Sequence, residues 1–319
     1  MPFFVKFRNE VGRFSEGMHE LPAGANDAQL TQLRAHHGRR IDMGLEEFLR
    51  TYNGVRLFFD SYVLWSVERL RATSVENAET VPIGEANESP LFLRSDGRVL
   101  QENDEQDLIV AGSDVEHWLL AVVARDALLF DQNGEYLAVF DDDEVALEVR
   151  KKRVRVGRKR DPGSAAWVFE AAELALELGD EASALLLAEE AAVLDKNAGE
   201  VWQFVARLSQ HRGDNARAEI AFAAAAHASR RSETRALRFA EAARVAALNQ
   251  HSSDDYRRQA LAANADCANG WITEATAKLA TGEIDSADEL AGLAHAIDPK
   301  RAADVCRQIR IRRSLRTTV

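Results

Sequence analysis

A tryptophan, a glycine and a set of alanines return about every 34 residues in the second half of this chain. Trp202 is followed by Ala206, Gly213-Asp214, Ala218 and Ala225. One period earlier stand Ala172, Gly179-Asp180, Ala184 and Ala191. Two periods and one residue later stand Trp271, Ala275, Gly282-Glu283, Ala287 and Ala294, followed by Pro299. A fixed period of this length marks stacked helix pairs, because each pair can bury its apolar face only against its neighbours. Such arrays present a surface to a partner. The second half therefore predicts an all-α superhelical solenoid with a binding role.

A length of 319 residues predicts two domains, and a hydrophobic content of 46% with 29% charged residues is that of a globular chain. No apolar run approaches the roughly 18 residues of a membrane span. The opening Met1-Pro2-Phe3-Phe4-Val5-Lys6 lacks the charged lead and apolar stretch of a signal peptide, so a cytoplasmic location is expected. Cys267 and Cys306 make neither a disulfide framework nor a metal-ligand set. They read as semi-buried thiols in helices, and no cofactor or metal is expected.

Charge is segmented. Residues 1–149 carry −15, 150–163 carry +7, 164–299 carry −10 and 300–319 carry +6, for a net −12. Acidic bodies repel nucleic acid and attract basic partners.

Along the first half, Phe3–Phe7 reads as a short strand. Asn26-Asp27 caps a helix to about His37, and Leu45–Tyr52 is a second helix with Leu45, Phe48, Leu49 and Tyr52 on one face. Leu57–Trp65 supplies one or two strands, and Ser66 caps a short helix. Val81–Ile83, Leu91–Arg94 and Val99–Gln101 are strands, the last two joined at Asp96-Gly97. Ser113-Asp114 caps a helix bearing Val115, Trp118, Leu119 and Val122. Asn133-Gly134 separates Ala127–Phe130 from Tyr136–Phe140 as a further hairpin. This pattern predicts an α+β domain with an antiparallel sheet over residues 1–149. Glu144–Arg160 reads as one charged helix. Its basic part begins a linker over 150–163 that ends at Asp161-Pro162-Gly163, where the repeats begin.

The residues of the 34-residue period resemble the tetratricopeptide repeat family, whose pattern sets an aromatic, small residues and a proline at fixed places in each helix pair. Repeats fall at about 165–198, 199–232 and 268–301. A degenerate one lies at about 233–267, lacking the glycine and holding one extra residue, and a capping helix runs from Arg301 to about Arg316. The first repeat departs from the pattern with Val168 in the aromatic place and Lys196 in the proline place. The resemblance implies a groove lined by the first helix of each repeat. Gln203, Arg207, His211 and Arg238 face it, where an anionic peptide would dock. Phe169 and Glu173 stand where a carboxylate clamp would need lysine and asparagine, which speaks against a chaperone-tail receptor.

In the first half, Leu45-Glu46-Glu47-Phe48-Leu49-Arg50-Thr51-Tyr52-Asn53-Gly54, then Val81-Pro82-Ile83-Gly84-Glu85 and Asp96-Gly97-Arg98-Val99, resemble the SUKH superfamily over roughly residues 26–148. The Leu-Pro usual before the second helix is absent, with Ile41-Asp42-Met43 in its place. The same residues have a plain structural reading, Asn53-Gly54 as a helix stop and Pro82 and Gly84 as strand-entry and turn residues. The resemblance implies a non-catalytic binder, in bacteria often an immunity protein that neutralises a toxin. Its partner-binding residues would be Tyr52, Asn53, Gly54, Gly84, Glu85, Glu88, Asp104 and Glu105, with Glu102 and Asp107 beside them.

Catalytic signatures are missing. There is no Gly-rich phosphate loop, His-Glu-x-x-His, Cys-x-x-Cys or Gly-x-Ser-x-Gly. The basic run Arg150–Arg160 lacks aromatic residues for base stacking and reads as a helix paired with local carboxylates. The leading expectation is a non-enzymatic bacterial adaptor, its SUKH-like domain holding one protein and its repeats another. The alternatives are an immunity protein that holds a basic nuclease-type toxin through the acidic first domain, and a nucleic-acid-associated regulator using the basic linker and basic C-terminus.

Overall fold

The computed structural model describes residues 3–74, 79–131, 133–137 and 143–316 and, of Arg39, Leu315 and Arg316, the backbone alone. Two compact units emerge. One comprises Met1–Asp104 with Leu108–Asp195, the other Glu105–Asp107 with Lys196–Val319. The first repeat thus groups with the first unit, and the division falls at Asp195/Lys196 rather than near residue 163.

The first unit opens with α1 (Phe3–Val11), not with the expected strand. Phe3, Phe7 and Val11 recur at a four-residue interval and are all buried, with the Phe7 ring 6.1 Å from those of both Phe48 and Tyr52. Helix spacing over three turns outweighs the strand-like look of five residues. Next come α2 (Asp27–His37) and α3 (Met43–Thr51), capped by Asn26 and Asp42. Asn26 and Gln29 cap each other reciprocally, side chain to backbone at 2.8 and 2.9 Å. β1 (Val55–Leu57), β2 (Tyr62–Leu64), α4 (Val67–Ala72), β3 (Thr80–Ala86), β4 (Ser89–Arg94), β5 (Val99–Glu102) and β6 (Leu108–Gly112) follow, then α5 (Val115–Asp126), capped by Asp114. Among the described residues, the expected final hairpin shows a 3-10 turn at Ala127–Leu129 and one bridge between Phe130 and Tyr136. Its residues 138–140 lie outside the described residues.

All six strands pair antiparallel in chain order, β1 to β6, as a meander. Between β3 and β4 the register slips after Pro82, where Gly84 follows. A Cβ on Gly84 would overlap the Val63 carbonyl oxygen of β2, so this close approach admits only glycine. The core holds Phe7, Phe48, Leu57, Leu64, Val81, Leu91, Val99, Trp118 and Val122.

β6 is one of the two edge strands, and an open edge must be paired or covered. Here side chains satisfy it. The Asp195 carboxylate accepts the Val110 N–H at 2.9 Å, the Ser164 hydroxyl donates to the Ala111 carbonyl at 2.7 Å, and Asp161 accepts the Ser113 N–H at 2.9 Å. Ser164 is also the N-cap of α7 (Ala165–Glu177), and Asp195 the C-cap of α8 (Glu181–Leu194). The first helix pair thereby closes the sheet, which is why it belongs to this unit. The stretch expected as a basic linker is part of α6 (Asp143–Arg160), an integral helix. Val154 and Gly157 are buried on it, and Gly157 lies against the Trp167 ring.

The second unit stacks helix pairs: α9 (Gly199–His211) with α10 (Asn215–Ala228), α11 (Ser232–Leu248) with α12 (Asp254–Ala263), and α13 (Cys267–Thr281) with α14 (Ile284–Ile297), closed by α15 (Pro299–Arg316). Alanines at the repeat spacing, among them Ala206, Ala225, Ala240, Ala260, Ala275 and Ala294, are fully buried and let the backbones approach. Gly213 and Gly282 turn out of their first helices at φ of 80° and 87°, as Gly179 does at 79° in the first unit. In the degenerate repeat Gln250 takes that place at φ 60°. Its N–H pattern matches: Gly213 N–H reaches Gln210 O at 3.0 Å and Gln250 N–H reaches Ala247 O at 3.2 Å.

Candidate functional site

Within the second unit, α9, α10, α11 and α14 enclose a cavity of about 500 Å³. Phe222, Leu237, Leu290 and Leu293 give it an apolar floor, and Gln203, Arg207, Gln210, Glu241, Arg244 and Glu289 give it polar walls. The α9 and α11 walls are linked by contacts one repeat apart. Arg238 Nη2 donates to Gln203 Oε1 at 2.8 Å, and Arg244 Nη2 donates to Gln210 Oε1 at 3.2 Å. Arg244 also pairs with Glu241 at 2.7 Å. Arg207 and Glu289 are exposed and have no ionic or hydrogen-bonded partner among the described residues.

Three of the four groove residues expected from sequence, Gln203, Arg207 and Arg238, line this cavity; His211, the last residue of α9, does not. Arg238 is not free to hold an incoming anion. It is 1% exposed, and its guanidinium pairs with Asp107, also 1% exposed, and with Glu105 at 2.6 Å, while donating to the Ser229 hydroxyl at 2.6 Å. The Arg230 N–H adds a bond to Asp107 at 3.2 Å. A buried charge must be paired and saturated with hydrogen bonds to be tolerated, and this one is. Arg207 is therefore the cation that the cavity offers to a ligand.

The candidates from residues 1–149 do not converge on one site. Tyr52 is buried, and its hydroxyl accepts from Arg8 at 3.3 Å. Asn53 braces α4, its Oδ1 accepting the Val67 N–H at 2.8 Å and its Nδ2 donating to Glu68 at 3.1 Å. Gly54 turns the chain into β1, its N–H on the Tyr52 carbonyl at 2.8 Å. Glu85, beside Gly84 on β3, pairs with Arg69 of α4 at 2.8 Å. Glu88 stands apart, exposed in the β3–β4 turn. Asp104 is exposed after β5; Glu105 and Asp107 are the partners of Arg238.

In the basic run, Arg150, Lys151, Arg153, Arg158 and Arg160 pair with Glu177, Glu148, Asp126, Glu190 and Glu10 at 2.5 to 3.2 Å. Asp126 also accepts from the Tyr62 hydroxyl at 2.6 Å, and burial beside that carboxylate pushes the Tyr62 phenol well up. Among the described residues no cluster of three or more His, Cys, Asp or Glu is arranged to hold a metal, and no helix is long and apolar enough to cross a membrane.

No protein-family model and no curated protein matches the chain. Among solved structures, the chain is similar to the crystal structure of MamA, at 15% identity over 52% of this chain and 94% of that one, with a TM-score of 0.33. It is also similar to PilF of Pseudomonas aeruginosa, at 16% identity over 59% of this chain and 90% of that one, with a TM-score of 0.36. Likeness at this level carries no partner or activity over to this chain.

Proposed function

We propose that the protein is a non-enzymatic protein–protein adaptor of a bacterial cytoplasm, and that the cavity between α9, α10, α11 and α14 seats a peptide segment of a partner. The observation that carries this reading is an apolar floor beside two unspent opposite charges, Arg207 and Glu289. An apolar side chain would fill the floor while a carboxylate meets Arg207 and a cation meets Glu289, the usual division between affinity and orientation in a peptide groove. The first unit would hold a second partner as a SUKH-like module. In support, Phe48-Leu49 lies in the last turn of α3, Val81-Pro82-Ile83-Gly84 lies in β3, and Asp96-Gly97 turns β4 into β5.

The test is affinity capture from native lysate with the full chain and with Leu290→Asp and Arg207→Glu variants, then measurement of the captured partner's peptides by titration. Loss of one defined partner in both variants, with unchanged thermal midpoints, supports the groove. Identical capture by all three proteins removes it.

A second reading is favoured by the −15 charge of residues 1–149: an immunity protein whose acidic first unit holds a basic toxin. It expects the full chain to protect cells from that toxin whether or not the groove is mutated.

A further inference from the structure

One end of the first unit, made by the β1–β2 turn, the β3–β4 turn, the segment 12–20 and the described residues 130–131 and 133–136, concentrates backbone strain and exposed aromatic surface. Seven non-glycine residues among those described have positive φ, and five lie here. Phe58, Phe59 and Asp60 stand at 52°, 52° and 71°, Asn87 and Glu88 at 49° and 68°. Side chains disfavour this region, most of all bulky ones, so three such residues in succession persist only where neighbours over-determine them. The neighbours do so. Buried Phe58 stacks on Phe130 at 5.5 Å and donates its N–H to His19 Nδ1 at 3.2 Å. The Phe59 N–H reaches the Met18 carbonyl at 3.2 Å, and the Asn87 N–H reaches the Ser61 carbonyl at 2.6 Å, tying the two turns together. The Ser15 hydroxyl donates to the Asn133 carbonyl at 2.6 Å and adds the fourth segment.

This framework turns Phe59 outward. It is 61% exposed, with Tyr136 at 52% and Leu137 at 40%. Phe59 and Tyr136 flank Phe130, at 6.2 and 5.6 Å between ring centroids. The rim is acidic. Glu16, Glu88 and Glu135 are exposed, and their side chains have no partner among the described residues. The cations at this end are committed, Arg13 to Glu10 and Arg56 to Asp60 and Glu20.

We propose that this end of the first unit is a docking surface for a protein with a basic face, Phe59 and Tyr136 serving as aromatic anchors and Glu16, Glu88 and Glu135 as rim carboxylates. Charge complementarity selects the occupant. Unpaired carboxylates around the exposed Phe59 ring attract guanidinium and ammonium groups, which gain both an ionic partner and a ring face. The same charges repel nucleic acid and anionic membranes. The proposal stands apart from the repeat groove and needs none of its residues.

The experiment pans a random dodecapeptide library on the immobilised full chain and measures the enriched peptides by fluorescence anisotropy. The expected peptides are arginine- or lysine-rich and bind with an affinity that falls as salt rises. Phe59→Asn weakens them about tenfold or more, and Glu88→Gln with Glu135→Gln weakens them and flattens the salt dependence. Arg207→Gln in the groove leaves them unchanged. Asparagine accepts left-handed backbone readily, so Phe59→Asn keeps or raises the thermal midpoint and a loss of binding is not a loss of fold. No enrichment of basic peptides, or basic peptides indifferent to Phe59→Asn, overturns the proposal; neutral or acidic peptides that Arg207→Gln releases belong to the groove.

Discussion

Gln250 is the residue at which the degenerate repeat departs most clearly from its neighbours. It holds the left-handed position that Gly213 and Gly282 hold on either side, at φ 60°. The sequence offers no glycine at the expected offset, because α11 runs to 17 residues where α9 has 13 and α12 shrinks to 10. The turn is conserved in geometry and displaced in register. A non-glycine residue there costs roughly 1 kcal/mol against glycine. Gln250→Gly is therefore expected to stabilise the second unit by about 0.5–1 kcal/mol, and Gly213→Ala to destabilise it by about 1 kcal/mol or more. Hydrogen exchange at the buried Ala206, Ala225 and Ala240 amides of the second unit in the full chain measures both. A Gln250→Gly chain less stable than its parent would mean that the side chain contributes more than its backbone costs.

Elements explain what sequence reading reaches and what it misses. The 34-residue period gives the helix pairs, their glycine turns and the faces that bear Gln203, Arg207 and Arg238, because a solenoid repeats one local solution. What it cannot give is a partner from far along the chain. Asp107, 131 residues from Arg238 in sequence, closes that guanidinium to outside ligands. β6 carries no strand signal in the sequence for a related reason. Leu108-Ile109-Val110-Ala111 is too short to show a period, and its edge is completed by Asp195, 85 residues from Val110. That contact makes its own prediction. Asp195→Ala leaves the Val110 N–H of a buried edge strand unpaired, a cost of about 1–3 kcal/mol. Hydrogen exchange at Val110 and Leu100, which face each other in the β5–β6 register, should quicken while exchange at Leu57 of β1 holds. Equal quickening of all three would mean that Asp195 supports the whole unit rather than this edge.

At the scale of the whole molecule, charge decides which class of partner is open to it. The chain carries a net −12, and its two basic stretches are not free patches. Five cations of α6 are paired at 2.5 to 3.2 Å, and in α15 Arg301 pairs with Asp298 at 3.3 Å, Arg307 with Asp304 at 3.4 Å and Arg313 with Asp288 at 2.7 Å. A cation already paired with a carboxylate gains little from a phosphate, and the acidic body around it repels the rest of the polymer. Lys152, Arg155 and Lys159 of α6 and Lys300, Arg310 and Arg312 of α15 have no partner among the described residues, and on a chain of net −12 they give no more than weak, salt-sensitive contact. The full chain is therefore expected to pass over immobilised duplex DNA and single-stranded RNA without retention at about 0.15 M salt, where screening leaves only close contacts. Changing Lys152, Arg155 and Lys159 together to glutamine should alter nothing in that assay. Arg153→Gln, by contrast, should lower the thermal midpoint, because it strips the buried Asp126 of an ionic partner at 2.7 Å. Retention at that salt, abolished by the triple change, would reopen nucleic acid as a partner and count against the proposed protein partner.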